Sequence, residues 1–359
     1  MNTVIENKKK RFRKITASVL ILLASLVLVV FLLFKISPWP SALLIRKAFN
    51  KEAVKVNTAL KKYTPENIQT ISNFVYDPND PDALLDIYYP TDTPKGKKWP
   101  VIVWIHGGGW VSGNKSLTSN YYKILASKGF AVVSIDYTLA PEKQYPTPVK
   151  QSMKALEYLS ENQNQFPIDT FNFILAGDSG GAHIAAQTAN IICNTDYAEL
   201  IKISPSLQPN QLTALLVYCG PYNTQNINLK GTFGEFLKTV LWSYSGYKDF
   251  TESPDFATAN IIAHITKNFP PAFISVGNND PLQSHSYELA SKLKSDGVST
   301  KTLFFNKNHI PKLNHEYQFN LDLDASKKAL DESIVFLLET VQLKMNTKNT
   351  ISNTSVSNK

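Results

Sequence analysis

The stretch "FNFILAGDSGGAHIAAQTANII", Phe171–Ile192, changes its rules halfway along. Phe173–Ala176 is a short, continuous apolar run and reads as a buried strand. Gly181–Ile192 reads as a helix. Between them Gly177–Gly181 spells G-x-S-x-G. A chain that passes from strand to helix through so few residues must turn sharply. Glycines on either side of Ser179 remove side chains that would collide with adjacent elements. The turn leaves the Ser179 hydroxyl exposed at a helix N-terminus, whose dipole favours a developing negative charge. The strand–turn–helix setting separates this motif from a chance match and makes Ser179 a candidate nucleophile.

Working outward, the same alternation repeats. Strands are expected around "LLDIYYP" near Asp86, then at Val101–Ile105, Ala131–Tyr137, Ala214–Tyr218, Ala272–Val276 and Thr300–Phe305. Helices fall between and after them, at Leu117–Ser127, Val149–Asn162, His285–Ser295 and Ala325–Lys344. Apolar strands alternating with helices predict an α/β fold: a mainly parallel sheet covered by helices on both faces. Ligands in such sheets sit beyond the carboxyl ends of the strands. Tyr222–Phe269 breaks the rhythm. It is long, aromatic and not strand-like, which predicts a helical cap inserted at about residues 222–269.

A second glycine cluster follows the strand Val101–Ile105, in "VIVWIHGGGWVSGN". Glycines there let the main chain approach a substrate without a side chain in the way. The N–H groups of Gly108 and Gly109, with that of Gly180 after the candidate nucleophile, are candidates for stabilising an oxyanion. A phosphate-binding loop is a near miss: Gly108 and Gly113 have its spacing, but Asn114 stands where lysine is required. A serine needs a base, and the base needs an orienting acid, in the chain order Ser, Asp, His. Asp280, in "GNNDPL", follows a strand; its alternative use is as a cap for the next helix. His315, in "LNHEYQF", follows the last strand. His309, after the same strand, is its rival. No His/Cys/Glu cluster has metal-ligand spacing, so neither metal nor cofactor is expected.

The N-terminus has a different character. The chain carries a net charge of +8, but Met1–Lys14 alone holds Lys8, Lys9, Lys10, Arg11, Arg13 and Lys14 against Glu6. The remainder is nearly balanced, which argues against a nucleic-acid partner. Ile15–Phe34 then runs without a charge, long enough as a helix to cross a hydrocarbon core of about 30 Å. The run is too long for a signal-peptide core and ends at Lys35 and Trp39, so a transmembrane anchor is expected, with the basic end cytoplasmic and the rest beyond the membrane. The expected organisation is a basic tail (1–14), an anchor (15–36), a helical juxtamembrane or cap segment (37–76), a catalytic domain (77–342) and a disordered tail (343–359). Cys193 and Cys219 read as small buried residues rather than a disulfide framework.

Five pieces, "HGGGW" (His106–Trp110), "DYTLAPE" (Asp136–Glu142), "GDSGG" (Gly177–Gly181), "DPL" (Asp280–Leu282) and "HEYQF" (His315–Phe319), resemble in kind and order the hormone-sensitive-lipase-like family of α/β-hydrolase carboxylesterases. The resemblance covers roughly residues 77–342. It implies Ser179 as nucleophile, Asp280 as orienting acid, His315 as base, an oxyanion hole from Gly108, Gly109 and Gly180, and small carboxylic esters as substrates. The chain departs from the family at Gly180, where many members have Ala, and at Glu316, where Gly usually follows the histidine. A peptidase or acyl transferase with the same triad, or an inactive binding ectodomain, are the alternative readings.

Overall fold

The computed structural model describes residues 2–357. It builds one eight-stranded sheet in the order β1-β2-β4-β3-β5-β6-β7-β8. The strands are β1 (Ile68–Val75), β2 (Leu84–Pro90), β3 (Trp99–Ile105), β4 (Ala131–Ile135), β5 (Ile168–Asp178), β6 (Leu212–Tyr218), β7 (Ala272–Val276) and β8 (Thr300–Phe304). Strand β2 pairs antiparallel with both β1 and β4; every pair from β4 to β8 is parallel. The helices are α1 (Asn2–Ile36), α2 (Trp39–Leu60), α3 (Ser119–Ala126), α4 (Thr147–Glu161), α5 (Ser179–Cys193), α6 (Thr195–Ile201), α7 (Gly231–Ser245), α8 (Gln283–Ser295) and α9 (Asp324–Ser357).

Side chains that alternate along each strand feed two cores. Along β3, Val101, Val103 and Ile105 join the core that also takes Leu156 of α4 and Ala185 of α5. Ile102 and Trp104 join the opposite core, with Leu125 of α3 and Leu337 of α9. Both faces are therefore apolar, which is why these strands read as unbroken runs. Strand β3 has β4 on one side and β5 on the other. The strand order reverses there, and the loops after β3 and β5 diverge into a crevice.

Two segments differ from their reading in the sequence. Residues 37–76 are not helical throughout: α2 and a 3-10 turn at Lys61–Tyr63 give way to β1. The reason lies in a bulge. Ile71 and Phe74 face one core at a spacing of three, because the pairing with β2 slips between them, where Asn73 adopts φ +59°, while Ile68 faces the other core. A spacing of three imitates a helix. The C-terminal 343–359 is not an irregular tail over its described part: α9 continues to Ser357, with neither Gly nor Pro along its length to stop it. Residues 358–359 lie outside the described residues.

The N-terminal helix α1 is continuous from Asn2 through the apolar run, and its apolar stretch buries nothing against the rest of the chain. Helix α2, by contrast, is docked. Arg46 donates to both carboxylate oxygens of Glu142 (2.6 and 2.7 Å) and to the carbonyls of Val111 and Ala140. Glu142 belongs to the "LAPE" stretch, whose role here is structural.

Candidate active site

Ser179 opens α5 with φ +49°, a strained value for a residue with a side chain. The glycines around it explain how the turn closes. A Cβ at Gly181 would overlap the carbonyl oxygens of Ile105 and His106, and one at Gly177 would stand 2.7 Å from the Gly181 backbone. Strand β3 and helix α5 touch here through main chain alone.

The second participant arrives from the far end of the sheet. His315 Nε2 lies 2.9 Å from Ser179 Oγ, and its Nδ1 lies 2.8 Å from Asp280 Oδ2. Asp280 makes contacts on both sides: Oδ1 accepts the N–H of Leu282 (2.8 Å) at the entrance to α8, while Oδ2 faces the imidazole. Burial alone would lower the His315 pKa; the Cys219 thiol and the Asp280 carboxylate reverse that, and the net direction is upward. Burial pushes Cys219 itself up to about 11, so its thiol is neutral at pH 7 and Asp280 sustains the shift. Cys219, Asp280 and His315 do bring three possible metal donors within 4.8 Å. A protonated thiol and an imidazole nitrogen already facing a carboxylate fit a hydrogen-bonded relay better than an ion.

His309 is elsewhere. Its ring packs on Phe305 (5.0 Å), and its carbonyl accepts from the Asn278 side chain. His106 and His183 are buried, and burial lowers each to about 4. His106 stacks on Tyr137, and His183 faces the carbonyl of Ala259.

The glycine loop after β3 lies against the elbow. A Cβ at Gly180 would stand 3.2 Å from Trp110 N and 3.4 Å from Gly109 N, so these N–H groups converge beside the residue that follows Ser179. Alanine at 180 would crowd them. Gly108 lines the cavity next to Ser179, and its carbonyl is held by the Ser112 hydroxyl (2.7 Å). The main-chain N–H of Trp110 was not among the expected donors; its signal was only its place after the glycines.

Asp178 was also missed, although it lies inside the motif. Its carboxylate accepts from Trp104 Nε1 (2.8 Å) and from Gly107 N (2.9 Å), tying the elbow to the glycine loop. Burial raises its pKa well above the usual carboxylate range, and the neighbouring Glu316 adds to the rise. The cavity over Ser179 is about 800 Å³. Phe49 of α2 with Phe233 and Phe236 of α7 form its apolar wall, the Phe236 ring 5.3 Å from Phe49 and 5.4 Å from Phe233. Helix α2 lies in the segment 37–76 and helix α7 in the segment 222–269, both read as cap from the sequence.

This sheet, crevice and elbow define the α/β-hydrolase fold. The BD-FAE family profile matches residues 85–293, more than half of the chain, and the chain belongs to that family. An acetyl esterase of Salmonella schwarzengrund is 26% identical over 60% of this chain and 64% of its own length. Esterase LipQ of Mycobacterium tuberculosis is 25% identical over 64% of this chain and 54% of its own. The match thus spans less than two thirds of each curated relative. Among solved structures, esterase B of Lactobacillus rhamnosis superposes with a TM-score of 0.72 at 23% identity, covering 86% of this chain and 98% of that one. An esterase of Pyrobaculum calidifontis gives 0.67 at 22% identity, covering 84% and 94%.

Proposed function

We propose that this chain is a serine carboxylesterase that hydrolyses small, short-chain carboxylic esters, anchored in a membrane by α1. The observation that carries the reading is the His315 imidazole, within hydrogen-bond reach of the Ser179 hydroxyl on one side and the Asp280 carboxylate on the other. His315 Nε2 takes the Ser179 proton as Oγ attacks the ester carbonyl. The oxyanion that forms faces the N–H groups of Gly108, Gly109 and Gly180; losing one such donor typically costs about 2.7–4 kcal/mol. The alkoxide leaves with the proton from His315. Water, deprotonated by the same nitrogen, then releases the acid and restores the serine. Asp280 keeps the Nδ1–H tautomer in place and stabilises the imidazolium.

The esterases among its relatives support the same chemistry. Helix α1 is long and apolar enough to cross a bilayer and buries none of that surface, which supports an anchor. The basic residues before it favour a cytoplasmic N-terminus with the hydrolase domain across the membrane. The test is a panel of p-nitrophenyl esters of rising acyl length, assayed with the full chain and with Ser179→Ala. Turnover that falls with chain length and vanishes in the variant is expected. Equal turnover in the variant would remove the assignment.

A further inference from the structure

Glu316 follows His315 directly and points its carboxylate into the same cavity. Its Oε1 lies 3.9 Å from His315 Nε2. Its side chain is 37% exposed, and among the described residues no lysine or arginine ion-pairs with it. Lys312 lines the cavity too, but its Nζ donates to the Lys307 carbonyl (2.6 Å). Lys55, another lining residue, is paired with Glu52 (2.7 Å). On the buried side Glu316 meets Asp178: a Cβ at Gly107 would stand 2.9 Å from Glu316 Oε1 and would overlap Asp178 Oδ2, so both carboxyls converge on one point of the glycine loop. Asp178 is 4% exposed and cannot hold a charge cheaply beside a second carboxylate. The raised pKa of Asp178 agrees that it keeps the proton and donates it towards Glu316. The carboxylate open to the cavity is therefore Glu316. Its backbone is strained, with φ +58°, where the family pattern usually has glycine.

Which half of the substrate it meets follows from the reaction. The nitrogen that takes the Ser179 proton must pass it to the ester's alkoxy oxygen, so that oxygen comes within about 2.6–3.2 Å of His315 Nε2. Glu316 Oε1 lies 3.9 Å from the same nitrogen, so the alcohol carried by that oxygen passes beside it. An oxygen three bonds beyond the alkoxy oxygen, as in a 2-hydroxyethyl or carboxymethyl ester, is placed to meet its carboxylate.

We propose that Glu316, positioned by Asp178, is a specificity residue that selects esters whose leaving alcohol carries a hydrogen-bond donor next to the ester oxygen and rejects those that carry a negative charge there. The proposal rests on the esterase reading above. The probes are three acetates that differ only in the alcohol: ethyl acetate, 2-hydroxyethyl acetate and carboxymethyl acetate. Hydrogen bonds to charged groups are strong enough for the full-length protein to favour the hydroxyethyl ester over the ethyl ester by about 10-fold or more in kcat/KM. It should disfavour the anionic ester by a similar factor. Glu316→Gln keeps an acceptor and loses the charge, so the discrimination against the anion should collapse while part of the donor preference survives. Glu316→Gly relieves the positive φ, so its melting temperature should not fall, and both ratios should come within about 3-fold of unity. Unchanged ratios in Glu316→Gly, with ethyl acetate still hydrolysed, would overturn this proposal alone. Failure of the unmodified protein on all three esters would overturn it together with the esterase reading.

Discussion

Two loops meet under the cavity, and they are held by different means. The elbow at Gly177–Gly181 is fixed by what is missing: no side chain fits between Ile105 and Gly181, so the backbone has one way to turn. The loop after β8, which brings His315, is long and is fixed by a side chain from another strand's end. Asn278, after β7, donates to the carbonyls of Asn306 (3.1 Å), Lys307 (3.3 Å) and His309 (3.1 Å) and accepts the N–H of Leu313 (2.9 Å). It is 8% exposed, so these bonds have little competition from water. The first loop is local sterics and the second is a tertiary hydrogen-bond staple. One should break sharply on substitution and the other should loosen by degrees.

The largest expected effect is at the elbow's apex. Ser179→Ala should lower kcat on a short-chain ester by up to about 10⁶-fold with the melting temperature unchanged. Next comes the pair of histidines. His315→Ala should lose several orders of magnitude, because only residual catalysis of about 10³–10⁴ over water survives loss of a triad member. His309→Ala, whose ring touches Phe305 and not the serine, should lose little. The pH profile sharpens the same contrast. His315 must be neutral to accept a proton, and its pKa is raised, so kcat/KM should fall as pH falls through a midpoint above 6.5. Asp280→Asn removes the charge that sustains the rise; the midpoint should move down while the plateau drops by about 10⁴.

The elbow is legible in the sequence for the reason that makes it brittle. A constraint that acts between near neighbours leaves its mark in the residues themselves, and Gly177, Ser179 and Gly181 can be read without the fold. The inner strands β3 to β7 were legible because burial on both faces favours apolar runs. Strand β1 was not, because it is an edge strand with more than half its residues exposed and a bulge at Asn73 interrupts its alternation. Chain order fits His309 and His315 equally; the place of His315 past Pro311, the aromatic stretch it opens and the resemblance favoured it, while what holds its loop is Asn278, remote in sequence and unremarkable in composition. The pairing of Glu316 with Asp178 left no sequence signal beyond a departure from the family's glycine.

Smaller effects follow at the two supports. Gly181→Ala forces a methyl onto the carbonyl of Ile105 and should cost about 1–3 kcal/mol of stability, read as a lower denaturant midpoint, with activity lost in proportion to the distortion of Ser179. Asn278→Ala should reduce kcat by about 10-fold and leave KM nearly unchanged, because it loosens the base without touching the cavity. A loss at Asn278 as large as that at His315 would erase the distinction between the two loops.

In the proposed reaction one serine, activated by His315, carries the acyl group. Incubating the full-length protein with a p-nitrophenyl alkylphosphonate and mapping the adduct by peptide mass spectrometry tests it most directly. One phosphonyl group per chain is expected, on Ser179, formed at least about 10³-fold more slowly in His315→Ala and at nearly the original rate in His309→Ala. An adduct on any other residue, or labelling of Ser179 that is indifferent to His315, would contradict it.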